Sequence, residues 1–317
     1  MEMQKDKAAQ CAQQVLDQVR KAIVGKDQVL LWVLAAIMAG GHILMEDIPG
    51  VGKTTMALAF SKALGLQQNR MQFTPDVLPT DVIGYSILDQ ATGKMTYQPG
   101  AVLCNLFLAD ELNRATSRTQ SALLEAMEEG QVTVDGVSRP LPQPFVVIAT
   151  QNPVGAAGTQ LLPDSQLDRF MVRLSLGYPE PKDEIAMVKS RQGGNPLKDV
   201  AAVLSVGELT ALQDTVEKTH IDDDVTAYVV ELIQATRANE YLLRGASPRA
   251  TLAVVSMAKA VAQLRGRDYV VPRDVQEVLQ VTLSHRLSLS HSAQAQGMST
   301  QDVLQKLLGS VRAPKLR

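Results

Sequence analysis

The strongest constraint on the fold of this chain is the run E-D-I-P-G-V-G-K-T-T at positions 46–55. The run follows the apolar stretch 42–45 and precedes a helical pattern, which is the setting of a phosphate-binding loop between a strand and a helix. Asp47 stands where the strict pattern G-x-x-x-x-G-K-[ST] has its first glycine, so the match departs from the pattern at one residue. We therefore expect an α/β core that binds a nucleotide.

The rest of the loop keeps the parts that would hold phosphate. Its glycines let backbone N–H groups turn inward, and the helix that follows adds the positive end of its dipole. Lys53 supplies a charge for the β- and γ-phosphates, and Thr54 can hold Mg²⁺. A glycine turn with a surface lysine is the plainer alternative, and the strand–loop–helix setting disfavours it. The predicted phosphate-binding residues are Gly50, Val51, Gly52, Lys53, Thr54 and Thr55.

Short β-like runs alternate with helical patterns up to about residue 178. This alternation predicts a mainly parallel sheet with helices on both faces. The predicted strands cover 42–45, 72–73, 103–109, 145–150 and 171–174. Two predicted hairpins, over 85–98 and 132–138, interrupt the alternation, and Asp135-Gly136 is a strong turn signal in the second. His42 is expected to be a polar neighbour of the first strand and not a metal ligand.

A segment rich in glycine and proline at 177–196 ends the α/β pattern. Beyond it the β pattern disappears and amphipathic helical patterns follow. These patterns cover 206–219, 224–239, 248–264, 272–287 and 300–308. We therefore predict an α/β core over residues 1–178, a linker over 179–198 and a smaller all-α domain over 199–317.

An almost wholly apolar run, 102–109, ends in the acidic pair Asp110-Glu111. Such a run predicts a central parallel strand. A carboxylate at its end can hold Mg²⁺ through the water shell, and the next one can orient or polarise an attacking water. An acidic turn would be the plainer interpretation of the pair alone. Downstream of Lys53, in an alternating α/β domain, the catalytic interpretation is favoured.

Charge and cysteine content narrow the function classes. The chain has 31 Lys and Arg against 33 Asp and Glu, a net charge of −2, and no Lys/Arg run, so strong nucleic-acid binding is not expected. Cys11 and Cys104 form no close pair, which excludes a disulfide-stapled fold and suits a reducing cytoplasm. The N-terminus lacks a signal-peptide pattern, and Gly40 and Gly41 interrupt the longest apolar stretch, so no membrane span is expected.

Six motifs carry a resemblance to a known family. They are G-H-I-L-M-E-D-I-P-G-V-G-K-T-T at 41–55, F-T-P-D-V-L-P-T-D-V-I-G-Y at 73–85, F-L-A-D-E-L-N-R-A-T-S-R-T-Q-S-A-L-L-E-A-M-E-E at 107–129, V-I-A-T-Q-N-P at 147–153, L-P-D-S-Q-L-D-R-F at 162–170 and G-A-S-P-R-A at 245–250. With these motifs, in this order, nearly the whole chain resembles the MoxR family of AAA+ ATPases. That family does not require the first P-loop glycine, so an aspartate at position 47 fits it.

The resemblance implies an AAA+ P-loop core with a helix-2 insert, a helical lid, and a homohexameric ring that hydrolyses ATP with Mg²⁺. It also implies that the two hairpins are the insert and pre-sensor hairpins near the ring pore. The catalytic residues that it implies are Glu111, the sensor asparagine Asn152, the arginine finger Arg169 and the lid arginine Arg249. Thr54 and Asp110 would bind the metal, and Ile23, Val24 and Gly25 would pack the adenine.

Physical considerations leave alternatives for several of these residues. Asn152 could simply be a turn asparagine. Arg249 would lie in the first turn of a helix, where a cation opposes the macrodipole, and its plainer alternative is a solvated surface arginine. Arg169 could pair within its own subunit with Asp168 or Asp164. For Arg114, a structural role and a contact between subunits are equally supported.

The preferred function is an ATP-driven chaperone that remodels or matures partner complexes. The resemblance implies partners that often carry a von Willebrand factor A domain. The alternatives are an AAA+ nucleic-acid motor and a nucleotide-binding scaffold without turnover. Near-neutral charge and 4% aromatic residues disfavour the motor, and Glu111 disfavours the scaffold. The client and the size of the oligomer stay open.

Overall fold

The computed structural model describes residues 2–90, 93–152, 162–192 and 194–315. Its helices are α1 Glu2–Arg20, α2 Asp27–Met38, α3 Lys53–Ala63, α4 Pro79–Ile83, α5 Ser117–Glu129, α6 Asp164–Leu167, α7 Pro181–Gln192, α8 Val206–Glu217, α9 Asp223–Arg237, α10 Pro248–Leu264, α11 Pro272–Leu283, α12 His291–Ala295 and α13 Thr300–Ser310. Its strands are β1 Ile43–Glu46, β2 Gln68–Gln72, β3 Gly84–Asp89, β4 Lys94–Pro99, β5 Leu106–Asp110, β6 Gln131–Val134, β7 Val137–Pro140, β8 Val146–Gln151, β9 Val172–Leu174, β10 Leu242–Arg244 and β11 Ser288–Leu289.

Five parallel strands form the central sheet in the order β2-β5-β8-β1-β9. Apolar residues fill β5 and β8, which are buried along nearly their whole length, as expected for central parallel strands. Parallel strands end at one common edge of the sheet. The loop after β1, the acidic pair after β5 and Asn152 after β8 therefore lie at the same edge, on neighbouring strands.

The predicted strands are confirmed with shifted bounds. The largest shift is in β2, which begins at Gln68 and not at residue 72. Strand β5 begins at Leu106 and not at residue 103. The apolar residues before it form a tight turn instead, in which Cys104 N–H donates to the Val102 carbonyl. Both hairpins are present, as β3–β4 and β6–β7, and Asp135 and Gly136 have φ values of 52° and 74°. Two consecutive positive φ values are those of the predicted hairpin turn.

The C-terminal domain contains the predicted helices, the short further helix α12 and one β-structured addition. Ser247 caps α10 by accepting a hydrogen bond from the backbone N–H of Ala250, as its Ser-Pro start signal suggested. The addition is a short antiparallel ribbon of β10 and β11, so the domain is not wholly helical. Each strand has three residues or fewer, too short for an alternating pattern in the sequence.

The segment predicted as a linker, 179–198, is largely helical. It contains α7 and a 3₁₀ turn at Pro196–Asp199. No residue of α7 is buried, so the helix lacks the apolar periodicity by which the other helices were predicted. Helix α7 and the loop that follows β1 line the same cavity.

One apolar core joins the sheet to the helical domain. Val15 of α1, Leu34 of α2 and Ile43 of β1 belong to the same buried cluster as Val254 of α10 and Val278 of α11. A second cluster, which includes Leu123 and Leu124 of α5, covers the opposite face of the sheet. These shared buried contacts hold the helical domain against the core and so fix the positions of its polar residues.

His42 lies partly buried between β8 and the end of α5. Its Nδ1 accepts a hydrogen bond of 3.0 Å from Val147 N–H, and its Nε2 lies 3.1 Å from the Met127 carbonyl oxygen. Because a carbonyl can only accept, Nε2 must carry the proton, and the ring is neutral. Burial lowers the pKa of His42 from 6.5 to about 4. As predicted, His42 is a polar neighbour of the first strand.

This lowered pKa should make the protein less stable as the pH falls from about 6.5 to about 4. In that window His42 binds a proton in the unfolded chain but not in the folded one. The free energy of unfolding therefore falls by up to about 1.4 kcal/mol for each pH unit of acidification. Urea unfolding at pH 7, 6 and 5 measures the slope. His42→Gln should make the slope shallower, whereas the exposed control His291→Gln should not. Equal slopes for wild type and His42→Gln would contradict this assignment.

Candidate active site

The loop between β1 and α3, which we call the cradle, has the backbone conformation that phosphate binding would need. Gly50 and Gly52 have φ values of 87° and 100°, a region that side-chain-bearing residues rarely adopt. Gly52 is also the residue before α3, so the turn leads directly into the helix N-terminus. Thr54 and Thr55 lie in the first turn of that helix. The predicted phosphate-binding residues therefore occupy one continuous turn at the end of β1.

Lys53 points back into its own loop. Its Nζ donates to the carbonyl oxygens of Asp47, at 2.9 Å, and Ile48, at 3.0 Å. Burial lowers the pKa of Lys53, and the charges of Asp47, Asp110 and Glu111 oppose that shift. The loop carbonyls are neutral acceptors, so a phosphate oxygen would be a stronger partner for this ammonium group.

Thr150 of β8 ties the acidic pair together. Its hydroxyl donates to Asp110 Oδ1 at 2.6 Å and accepts from Glu111 N–H at 2.8 Å. Asp110 Oδ2 also accepts from Arg70 of β2 at 2.8 Å. Neither Thr150 nor Arg70 was identified from the sequence, because each acts across strands that are distant along the chain.

Glu111 faces two nitrogen donors. Arg114 Nη1 donates to its Oε2 at 2.8 Å, and Asn152 Nδ2 lies 3.4 Å from its Oε1. Asn113, also missed from the sequence, positions Asn152: its side chain bonds both the N–H and the carbonyl of Asn152, at 3.4 Å and 3.2 Å. Glu111 itself has a φ of 56°, in the left-handed region that residues other than glycine rarely adopt. Arg114 therefore has a partner, Glu111, within the same chain.

The residues present suit a bound Mg²⁺ of the kind that accompanies nucleotides. This ion keeps several waters and takes one or two protein ligands together with phosphate oxygens. Thr54 and Asp110 offer one hydroxyl and one carboxylate at the carboxyl edge of the sheet. Among the described residues, no three acidic, histidine or cysteine side chains converge on one point, so no all-protein metal cage is formed there.

A cavity of about 290 Å³ lies beside the cradle. Ile23 and Val24 line one part of it, the phosphate-binding loop another, and Met187 of α7 a third. Gly25 has a φ of 71° and packs against Asp183 of α7, where an added Cβ would lie 1.9 Å from a carboxylate oxygen. The predicted adenine-packing segment thus borders a cavity next to the cradle, and α7 supplies a wall that sequence reasoning missed.

Arg169 and Arg249 lie at a different place from the other predicted residues. Both are bound by Glu128 of α5: Arg169 Nη2 lies 3.0 Å from Oε2, and Arg249 Nη2 pairs with Oε1. They line a second cavity, of about 280 Å³, together with His42, which precedes β1. This is the amino edge of the sheet, and β1, four residues or about 13 Å long, separates it from the cradle.

Neither intramolecular partner considered for Arg169 is its partner in the structure. Asp164 pairs with Arg244 at 2.5 Å. Asp168 accepts from Arg286 Nε at 2.6 Å and from the Ser247 hydroxyl at 2.8 Å. The alternative pairings are therefore wrong, and Glu128 holds Arg169 instead.

Arg286 is a buried cation that connects this segment to the helical domain. It is 4% exposed and donates to Asp168 Oδ1 and to the carbonyls of Asp168, Phe170 and Met171 at 2.6–3.0 Å. Burial lowers the pKa of Arg286, while the hydrogen bond and charge of Asp168 oppose the shift. This cluster fixes the backbone on both sides of Arg169.

Comparison with protein families gives two matches. Residues 42–172 match the family described as ATPase family associated with various cellular activities (AAA), and residues 234–307 match the AAA lid domain. The two matches fall on the sheet-containing core and on the helical domain. Among the described parts of the chain, no helix is long and apolar enough to cross a membrane.

Similar proteins extend these matches to the whole chain. It is 40% identical to Chaperone MoxR1 of Mycobacterium tuberculosis over 94% of this chain and 81% of that protein. It is 30% identical to Protein MoxR of Paracoccus denitrificans over 84% of this chain and 86% of that protein. A crystal structure from Cytophaga hutchinsonii, of a chain assigned to the ATPases, superposes with a TM-score of 0.92 at 37% identity and covers 99% of this chain and 98% of that one.

Proposed function

We propose a function for this chain on the basis of its family. The chain belongs to the MoxR family of AAA+ ATPases and is a nucleotide-binding ATPase of the chaperone class. Its nucleotide is ATP with Mg²⁺, and hydrolysis drives the remodelling or maturation of partner protein complexes. One observation carries the proposal most directly. Lys53 and Glu111, predicted from their motifs, and Asn152, implied by the resemblance, lie at the ends of neighbouring strands at one edge of the sheet.

The chemistry follows from what these side chains can do. Lys53 exchanges its loop carbonyls for phosphate oxygens, and the N–H groups around Gly50 and Gly52 bind the same charge. Thr54 and Asp110 would hold Mg²⁺, and the bound ion would neutralise negative charge on the phosphates. Glu111 orients the attacking water and accepts its proton, and Asn152 holds that carboxylate or the water in line.

The two arginines at the amino edge support a nucleotide site that is shared between neighbouring subunits. Arg169 and Arg249 share one carboxylate, that of Glu128, and a strand length separates them from their own cradle. A γ-phosphate of a neighbouring subunit is an anion that both guanidinium groups could bind in place of Glu128. We therefore propose a head-to-tail ring, a homohexamer, in which each subunit completes its neighbour's site.

The cellular partners are proposed from the family and from charge. Clients include proteins with a von Willebrand factor A domain. The net charge of −2 gives no basis for strong nucleic-acid binding. Both cysteines are free, and we propose a cytoplasmic location.

A substrate trap tests the proposed function. Glu111→Gln protein with ATP should retain client proteins that wild type releases, because binding proceeds without turnover. Affinity capture followed by mass spectrometry should recover proteins with a von Willebrand factor A domain, and Lys53→Ala should not retain them. Fluorescence anisotropy with single- and double-stranded oligonucleotides is the parallel control. Sub-micromolar affinity for nucleic acid at physiological salt, with no ATP-dependent client, would favour the motor instead.

A further inference from the structure

Asp47 replaces a glycine of the strict P-loop pattern, and its side chain is buried. It is 5% exposed, and its carboxylate accepts three hydrogen bonds from the segment after β9. The donors are the Ser175 hydroxyl at 2.7 Å, Leu176 N–H at 2.6 Å and Gly177 N–H at 3.0 Å. A glycine at position 47 would leave these donors without this partner.

The backbone of the same residue belongs to the phosphate cradle. The Asp47 carbonyl accepts from Lys53 Nζ at 2.9 Å, and Asp47 N–H donates to Gln151 at the end of β8. The positive φ values of the loop are at Gly50 and Gly52, so position 47 needs no glycine for its conformation. The aspartate is therefore explained by what its side chain binds.

The segment that Asp47 holds leads into the wall of the cavity of about 290 Å³ beside the cradle, where Ile23 and Val24 are predicted to pack the base. Tyr178 and Pro179 line that cavity, and α7 begins two residues later. The carbonyl of Tyr178 accepts from Lys26 Nζ at 2.7 Å, next to the segment predicted to pack adenine. Asp47 and Lys26 thus hold this wall from two sides, one in the phosphate-binding loop and the other beside Gly25.

We propose that Asp47 is a positioning residue that fixes the base-side wall of the nucleotide pocket relative to the phosphate cradle. The inference rests on the proposed binding of ATP at this site. A nucleotide spans both halves of the pocket, so its affinity depends on the distance between them. An inorganic polyphosphate fills only the cradle, so its affinity does not depend on the position of the wall.

The test compares two ligands on the same variants. Asp47→Asn and Asp47→Gly, the second of which restores the strict P-loop pattern, should each weaken ATP binding about tenfold or more in isothermal titration calorimetry. Binding of inorganic tripolyphosphate should be unchanged or slightly tighter, because a negative charge near Lys53 is lost. Ser175→Ala removes one of the three donors and should give a smaller loss for ATP alone. It keeps the test valid if the Asp47 variants do not fold.

The outcomes separate this inference from the function on which it rests. Equal losses for ATP and tripolyphosphate would mean that Asp47 acts only within the cradle, and unchanged ATP binding would mean that it positions nothing. Either result overturns the inference. Lys53→Ala should weaken both ligands. If Lys53→Ala weakened neither, the nucleotide site itself would be wrongly assigned.

Discussion

Replacing Glu111 by glutamine should slow ATP hydrolysis by about a thousandfold or more while leaving ATP binding intact. The amide keeps the shape of the side chain and an oxygen that Asn152 can bond, but it cannot accept a proton from water. Lys53→Ala should act at the earlier step, nucleotide binding. It removes the ammonium group that would exchange its hydrogen bonds to the loop carbonyls for bonds to phosphate oxygens. Steady-state ATPase assays and equilibrium nucleotide binding on the two variants separate these effects.

The control for this pair is Glu129→Gln, which makes the same charge change at an exposed position of α5. It should hydrolyse ATP at the wild-type rate. Normal turnover by Glu111→Gln would refute the assignment of Glu111. Loss of ATP binding by the same variant would instead mean that Glu111 holds the nucleotide or its metal ion.

The residues at the carboxyl edge of the sheet could be predicted from the sequence because each motif there is a run of adjacent residues. A strand, a glycine turn and a helix start are adjacent in the run at 46–55, and the acidic pair follows its strand directly. Apolar runs as strong as 146–149 predict buried strands without any tertiary information. Once the strands are taken as parallel, their ends meet at one edge.

Other features depend on contacts that no local pattern records. Glu128 and Arg249 are 121 positions apart, so their ion pair cannot be seen as a motif. The hydrogen bonds from Arg286 to Asp168 and from Leu176 N–H to Asp47 join segments that are 118 and 129 residues apart. Helix α7 lies in a segment that was predicted as a linker from its glycines and prolines, and it buries no apolar face whose periodicity would have indicated a helix. These residues orient the site, and only the three-dimensional structure identifies them.

Arg169→Ala should lose about three orders of magnitude of ATPase activity yet still bind ATP. Its own Lys53, Glu111 and Asn152 are intact, and only the guanidinium that it would donate to a neighbour is missing. The exposed Arg118→Ala is the matched control and should remain active. Mixing Arg169→Ala with Glu111→Gln under verified subunit exchange should restore activity, because the second variant donates Arg169 to the first variant's sites. For random mixing in equal amounts, about a quarter of the interfaces would be competent. No recovery would contradict an action of Arg169 in trans.

The same assay decides whether Arg249 acts with Arg169 in trans, as their shared carboxylate suggests. If one subunit must donate both arginines to a neighbour's site, a mixture of Arg169→Ala and Arg249→Ala subunits contains no complete donor and stays inactive. If Arg249 serves its own subunit's site, each Arg169→Ala subunit has a working Arg249 and receives Arg169 from the other variant, so activity returns. Arg249→Ala mixed with Glu111→Gln should recover under the first arrangement, which shows that the variant still assembles. We expect recovery in that mixture and none in the double-arginine mixture, because Glu128 holds both guanidinium groups at the amino edge of the sheet, away from their own cradle.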